Sequence, residues 1–376
     1  MRVVIVSGIW PPDVGGPASH APEAAAFLRR RGHDVEVVTT AERAPEPEPY
    51  PVHWISRRLP AGARHAAGVV LVARSARHAD VVYSTGMPGR TAAGSIAARR
   101  PYVLKLTQDP AFERARWRGI ASGGADDFQH LGGLRVRALR AARDWELRRA
   151  ARVICPSAYL RDLVVSWGVP AEQVGVLPNP APDSAQLPER DQLRRTFELE
   201  GPTLAFAGRL TAAKALDVAL EAVAQVERVR LVVAGEGEER PSLQRRVKEL
   251  ELDGRVRFVG KQPRRRVLEL FRAADAALLS SRWENFPHAA VEALAAGTPV
   301  LATDVGGIRE IVVDGRNGLV VPPGDPGALA AAIRRFVEDD ALQERLRAAA
   351  SASVERFAPE RLFAELEALL KKASRA

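Results

Sequence analysis

Ala276 to Ala302 reads AALLSSRWENFPHAAVEALAAGTPVLA. Ala276–Leu279 is a short, fully apolar run, and so is Pro299–Ala302. Pro287 suits the first turn of a helix, and Glu292 falls one turn further in. Strand, loop, helix and strand in that order make a βαβ unit, whose two strands run parallel. Apolar runs of this kind, with no polar alternation, suit strands covered on both faces.

The same grammar extends in both directions. Downstream of a turn-rich stretch the expected strands are Thr203–Ala207, Val229–Ala234 and Val256–Val259, ahead of the two above. Upstream they are Arg2–Ser7, Val35–Thr39, Val52–Ile55, Val81–Tyr83, Val103–Leu106, Val153–Cys155 and Val174–Leu177. Helix-period segments lie between them, among them Pro17–Arg31, Arg90–Arg99, Leu134–Ala150 and Ala158–Trp167. Pro326–Glu338, Ala341–Glu355 and Pro359–Lys372 read as three closing helices. Pro178–Asn179–Pro180–Ala181–Pro182–Asp183 continues neither a strand nor a helix, so a boundary falls there. The expected fold is α/β, with two doubly wound Rossmann-like domains facing a cleft: 1–180, 181–356, and a terminal segment 357–376. Glu42–Pro51 reads as an exposed loop, and Phe112–Gly133 as a long aperiodic one.

Length and composition agree. A chain of 376 residues, 46% hydrophobic and 27% charged, is ordinary for two globular domains. One cysteine, Cys155, permits no intrachain disulfide and no cysteine-based zinc cage. The seven histidines lack metal-ligand spacing. The longest apolar runs, such as Ala66–Ala73, are far shorter than the ~20 residues of a membrane span, and no signal-peptide core follows Met1–Val6. These features point to a cytoplasmic protein in a reducing compartment. Charge is uneven: residues 1–180 hold 25 Lys and Arg against 16 Asp and Glu, whereas 181–376 hold 30 of each. A basic first half suits an anionic partner or, more blandly, solvated arginine-rich faces.

In doubly wound folds, ligands sit at the carboxyl ends of strands, so the strand-to-helix loops carry the chemistry. Four stand out. Trp10–Pro17 ends in Gly15–Gly16 before a helix, where backbone can approach a ligand and free N–H groups can meet an anion. It is not a G-x-G-x-x-G fingerprint. Gly208–Lys214 carries Arg209 and Lys214, cations suited to phosphate oxygens or else solvated. Ser281–Val300 carries Glu284 and Glu292, acids able to accept hydroxyl hydrogen bonds or simply exposed. Val305–Glu310 brings a second glycine pair to a strand end.

Read in order, these segments resemble the retaining glycosyltransferases of the group 1 family, family 4, with the two-domain GT-B fold. The matching pieces are P-P-D-V-G-G at 11–16, R-G-H-D-V at Arg31–Val35, and G-R-L-x-x-x-K-x-L-D at Gly208–Asp217. V-V-A-G-E-G at Val232–Gly237 follows, then E-N-F-P-x-x-x-x-E-A-L-A-x-G-T-P-V at Glu284–Val300. V-G-G-I-R-E and D-G-R-N-G-L-V-V-P-P-G-D complete the series. Each fragment is weak, but the ordered set is specific.

The resemblance implies a sugar transferred from a nucleoside-diphosphate sugar to an acceptor hydroxyl with retention. It places Arg209 and Lys214 on the donor diphosphate, Glu284 by the donor sugar and Glu292 on the ribose. Gly16 becomes a backbone phosphate contact. Gly208, Asn285, Phe286 and Pro287 lie in the donor-binding stretches, and Gly260–Lys261 lies where the base pocket begins. The closing helix is expected to cross back onto the first domain.

Arg209, Lys214 and helix N-termini can neutralise the leaving diphosphate, so neither a metal nor a resident cofactor is expected. Family members often carry a histidine after the strand matching Val103–Leu106; here the loop reads Thr107–Gln108–Asp109–Pro110. Asp109 is therefore a candidate to orient or deprotonate the acceptor, or is a turn residue. Ala215 and Asn285 replace family glycines. His20 and Cys155 read as packed residues.

The acceptor is expected on the first domain, as a glycan, lipid-linked or phosphorylated molecule. Arg114, Arg116, Trp117 and Arg118, with Arg135, Arg137, Arg140, Arg143, Arg148 and Arg149 on a helix, suit an anionic membrane surface or plain solvation. Two other readings stand beside this one. A nucleotide-sugar epimerase or hydrolase can occupy the same fold. A basic nucleic-acid module would need a motif with interleaved aromatics, which this chain, 6% aromatic, does not carry, so no nucleic-acid partner is expected.

Overall fold

The computed structural model describes residues 1–13, 16–121 and 125–375. The chain divides into two compact units, Met1–Pro180 with Pro359–Ala376, and Ala181–Ala358.

The first unit alternates strand and helix: β1 (Arg2–Val6), α1 (Gly16–Arg30), β2 (Asp34–Ala41), β3 (Val52–Ser56), α2 (Ala61–Ala76), β4 (Val81–Ser84), α3 (Pro88–Ala97) and β5 (Tyr102–Lys105). It continues with α4 (Pro110–Trp117), α5 (Ala125–His130), α6 (Leu134–Arg148), β6 (Arg152–Cys155), α7 (Ala158–Ser166) and β7 (Val174–Val176). The seven strands pair in parallel in the order β3-β2-β1-β4-β5-β6-β7. Every residue of β4 and β5 is buried. That is why those runs lack polar alternation.

The stretch Phe112–Gly133, expected as one aperiodic loop, instead contains most of α4 and all of α5. The cause is local. Asp109 caps α4 by accepting the Ala111 N–H at 2.8 Å, and Pro110 takes the first helical position. Both are favoured helix-start residues. Ser157 caps α7 in the same way through Leu160 N–H.

The second unit opens with α8 (Arg190–Thr196) and runs β8 (Thr203–Ala207), α9 (Leu216–Ala224), β9 (Arg230–Ala234), α10 (Arg240–Glu249), β10 (Val256–Gly260) and α11 (Arg264–Ala273). After these come β11 (Ala276–Leu279), α12 (His288–Ala295), β12 (Val300–Thr303), β13 (Gly318–Val321), α13 (Pro326–Glu338) and α14 (Asp340–Ala350). Its six parallel strands take the order β10-β9-β8-β11-β12-β13. The sequence reading omits β13, whose residues belong to the D-G-R-N-G-L-V-V motif. Leu204, Phe206, Leu231, Leu278 and Leu301 from four strands share one core with Leu216, Leu220, Ile333 and Phe336 from the helices.

The last helix, α15 (Pro359–Ala373), belongs to the first unit and packs on α1, β4 and β5. Glu367 is its anchor. It takes a hydrogen bond from Arg31 at 3.2 Å and from Lys371 at 2.5 Å, and its Oε1 lies 2.8 Å from His33 Nε2. Phe363 adds ring contacts to Phe27 and His20.

Candidate functional site

In the second sheet β8 and β11 are neighbours, and the chain leaves them toward opposite edges. The loops beyond their carboxyl ends therefore diverge at a topological switch point, where such sheets open a crevice. The loop after β8 is held from one side by β9. Gly208 N–H donates to Ala234 O at 3.0 Å, and Leu210 N–H to Glu236 O at 2.9 Å. A Cβ on Gly235 would stand 1.8 Å from Gly208 O, and one on Gly237 2.1 Å from Leu210 O. The two glycines of V-V-A-G-E-G therefore permit this contact, a role the sequence reading leaves unassigned.

Lys214 ends a short 3-10 turn, and Ala215 behind it is left-handed, with φ 45°. The Lys214 ammonium bonds Glu284 Oε1. Ser281 Oγ donates to that same oxygen at 2.7 Å. Around this pair the loops are tied together. Ser280 Oγ donates to Lys214 O at 3.0 Å, Arg282 N–H to Ala213 O at 2.9 Å, and Thr303 Oγ1 to Ser281 O at 2.6 Å. Gly307 N–H reaches Glu284 O at 3.3 Å, bringing in the loop after β12. Glu284 is only 7% exposed. Arg209, on the same loop as Lys214, is exposed.

Glu292 lies one turn into α12 and meets Arg264 Nε, at the start of α11, at 3.0 Å. Burial raises its carboxyl pKa, and Arg264 works against that rise. The arginine partner escapes the sequence reading because nothing in spacing links residues 264 and 292. Asn285 and Phe286 are buried, with Phe286 edge-on to Phe357 at 5.6 Å. Pro287 stands at the N-cap of α12. The second unit thus brings Gly208, Lys214, Glu284 and Asn285 into one tied set of loops.

In the first unit, Gly16 is the first residue of α1, while Val14 and Gly15 lie outside the described residues. Asp109 is buried with both oxygens engaged. Oδ1 caps α4, and Oδ2 receives Gln129 Nε2 at 2.8 Å and Arg143 Nη1 at 3.0 Å. In this structure Asp109 is a cap and an ion-pair partner.

Arg143 corrects the expectation of a uniformly solvated or membrane-facing arginine helix. Its side chain is 3% exposed, with its guanidinium 3.8 Å from the Trp167 ring. Arg140 is also turned inward, onto Phe128. Arg135, Arg137, Arg148 and Arg149 stay exposed. Lys105 is buried at the end of β5 and donates to Leu177 O and Pro178 O, both at 3.3 Å. Burial brings its pKa down to about 7. Cys155 is buried too, and burial pushes its thiol up to about 12, against the pull of Lys105 and Arg161. His20 Nε2 lies 2.7 Å from Tyr83 Oη inside the unit.

The comparisons with known proteins follow this division of the chain. The family model for glycosyl transferases group 1 matches residues 189–353, and that for the glycosyl transferase 4-like domain matches 15–180. The D-inositol 3-phosphate glycosyltransferase of Xylanimonas cellulosilytica is 31% identical over 380 residues, spanning 92% of this chain and 88% of that protein. This chain belongs to the group 1 glycosyltransferases.

The glycogen synthase of Mycobacterium tuberculosis is a further relative, 28% identical over 93% of this group 1 glycosyltransferase and 89% of its own length. Among solved structures, Anabaena HepE in complex with UDP shares the GT-B fold. Its TM-score is 0.82 at 23% identity, covering 99% of this chain and 100% of that one. Among the described residues no helix of this glycosyltransferase is long and apolar enough to cross a membrane.

Proposed function

We propose that this glycosyltransferase moves a sugar from a nucleoside-diphosphate sugar to an acceptor hydroxyl with retention of anomeric configuration. One observation carries the reading: Lys214 and Glu284 meet at the switch point of the second sheet, beside the exposed Arg209. That is a preorganised cation in a partly water-excluded loop cluster, where charge stabilisation is strongest. HepE, whose structures hold UDP and UDP-glucose, supports a uridine donor as the first one to test.

The chemistry then balances as follows. The bond from the anomeric carbon to the β-phosphate oxygen breaks, leaving negative charge on the diphosphate. Lys214 and Arg209 take up that charge, so the reading needs no divalent ion. The acceptor oxygen attacks on the face from which the phosphate departs, and its proton passes to a phosphate oxygen. Glu284 orients Lys214 and faces the donor sugar, while Glu292, held by Arg264, addresses the ribose diol. Gly16, Gly208 and the Asn285–Pro287 backbone approach the phosphates and sugar. Asp109 enters as a positioning residue for α4, beside the acceptor.

The acceptor belongs to the first unit in this reading and is a glycan, lipid-linked or phosphorylated molecule. Trp117 is 91% exposed and Leu134 78%, among the exposed Arg116, Arg118, Arg135 and Arg137. Aromatic and apolar tips set in cationic surroundings support a peripheral seat on an anionic membrane, at its cytoplasmic face. Co-sedimentation with phosphatidylglycerol vesicles at low salt tests this, with loss expected in Trp117→Ala.

The donor assignment is tested by thermal stabilisation with UDP-, GDP-, ADP- and dTDP-sugars in EDTA. Binding to the folded state alone raises the melting temperature. One nucleotide class is expected to stabilise, and Arg209→Ala or Lys214→Ala to abolish the shift. Turnover lost in EDTA and restored by a divalent ion would overturn the metal-free reading.

A further inference from the structure

We propose that Arg282 is a positioning residue for Lys214, which it holds by bracketing a left-handed turn at Ala215. What Lys214 does to the donor rests on the reading given above. That Arg282 holds it rests on geometry alone.

Ala215 directly follows Lys214 and adopts φ 45° and ψ 45°. That conformation crowds Cβ against the backbone and favours glycine. Ala215 is also 1% exposed, seated in the core of the second unit. It redirects the chain from the 3-10 turn Ala212–Lys214 into α9. Relaxing Ala215 to an ordinary conformation would swing that turn and carry the ammonium away from Glu284.

Arg282 spans Ala215 from the loop after β11. Its N–H donates to Ala213 O at 2.9 Å, and its Nη1 to Ala212 O at 3.0 Å. Its Nη2 reaches Asp217 Oδ2 at 2.9 Å, on the other side of Ala215. Ser280, Arg282 and Glu284 are alternate residues of one loop, and all three touch the turn. Ser280 Oγ donates to Lys214 O, and Glu284 takes the ammonium. Packing does not fix this side of the turn. A cavity of about 210 Å³ lies there, walled by Thr211, Ala212 and Asp217, by Ser242 and Leu243 of α10, and by Arg282 itself.

Arg282 and Asp217 are each about half exposed, and an isolated ion pair of that kind contributes little. The strength lies in the combination. One guanidinium joins a carbonyl before the strained residue to a carboxylate after it. Local backbone strain persists only where its surroundings over-determine it.

The test combines amide exchange with nucleotide binding in the full chain. Arg282→Gln removes both guanidinium bonds and leaves the backbone one. Without ligand it should speed exchange at Lys214, Ala215 and Val218, whose N–H groups are bonded across this turn, while the strands of the second sheet exchange as in wild type. Asp217→Asn deletes only the ionic half and should act in the same direction to a smaller extent. Calorimetric titration with UDP, GDP and ADP then reports on the ammonium, because a free diphosphate carries the charge of the leaving group. Arg282→Gln should weaken the nucleotide that binds about tenfold, within the range of couplings between residues in contact. In a Lys214→Ala background it should weaken it no further, since its effect passes through the lysine. Adding Ala215→Gly to Arg282→Gln should recover at least about threefold, because glycine adopts the left-handed turn without steric cost. A loss of the same size with and without Lys214 overturns the inference, and so does wild-type exchange in Arg282→Gln. Failure of the donor reading looks different: no nucleotide binds wild type, or Lys214→Ala binds it as tightly. The exchange rates then decide the inference by themselves.

Discussion

Lys214, beyond the end of β8, is bonded to Glu284, beyond the end of β11, so two loops from adjacent strands share one charge pair. Ser281 Oγ on the same Glu284 oxygen fixes where the ammonium sits. A cation held in place before substrate arrives needs no reorganisation as charge develops on a leaving group.

Lys214→Ala should therefore lower kcat/KM by about 10²–10³-fold, the usual cost of one preorganised charge-stabilising donor. Glu284→Gln keeps the acceptor oxygen but frees the ammonium, so a smaller loss is expected. Steady-state kinetics with the stabilising donor checks both. Equal activity in Lys214→Ala and wild type would remove the lysine from the chemistry.

Asp109 and Arg143 supply a prediction about stability. Both are buried, and Arg143 also meets the partly exposed Asp144 at 2.9 Å. A buried charge left wholly unpaired costs about 3–5 kcal/mol, and the Asp144 that Arg143 retains offsets part of that cost when Asp109 is removed. Asp109→Ala should show a loss of that size in urea unfolding, since it also deletes the cap of α4. Asp109→Asn retains a capping oxygen and should lose less. Combining Asp109→Ala with Arg143→Met should cost less than the sum of the single changes, because the two side chains share one contact that each single change already removes.

The parts of the fold visible in sequence are those governed by local pattern. Val103–Leu104 and Leu278–Leu279 sit in strands buried on both faces, and their unbroken apolar character announces it. Gly318–Val321 is as regular a strand, but it follows Asn317 closely and reads as part of a turn motif. Arg143 shows the opposite failure. Its residue type and helical position argue for solvent, and Asp109 and the Trp167 ring, both distant in sequence, draw it inside. The site divides in the same way. Arg209, Lys214, Glu284 and Glu292 stand in recognisable strings, whereas Arg264 and Thr303 join them through contacts with no sequence spacing behind them.

Lys105 predicts an alkaline gain in stability. Its pKa is about 7 folded against an ordinary 10.5, lowered by burial. Between those values the unfolded chain binds the proton and the folded chain does not, so stability rises with pH. The burial cost is complete below pH 7 and is relieved as pH climbs to about 10.5, at about 1.4 kcal/mol per pKa unit. Lys105→Met removes this slope. Urea midpoints from pH 6.5 to 9.5 in the two proteins check it, and parallel profiles would show that the lysine titrates normally.

Glu367 gives the opposite sign at the acid end. Lys371, His33 and Arg31 hold its carboxyl down to about 2, from an ordinary 4.5, against the opposing effect of burial. The stability it contributes is present above pH 4.5 and is lost as pH falls toward 2, where the folded form must also take up the proton. Because Arg31 and His33 join α15 to the start of the chain, the loss should fall first on the docking of that helix. Glu367→Gln should therefore raise amide exchange along Pro359–Ala373 at neutral pH while exchange in the strands of the second unit stays as in wild type. It should also flatten the acid limb of the stability profile between pH 4.5 and 2. A variant whose α15 exchange matches wild type would show that Phe363, packed on Phe27 and His20, holds the helix without the carboxylate.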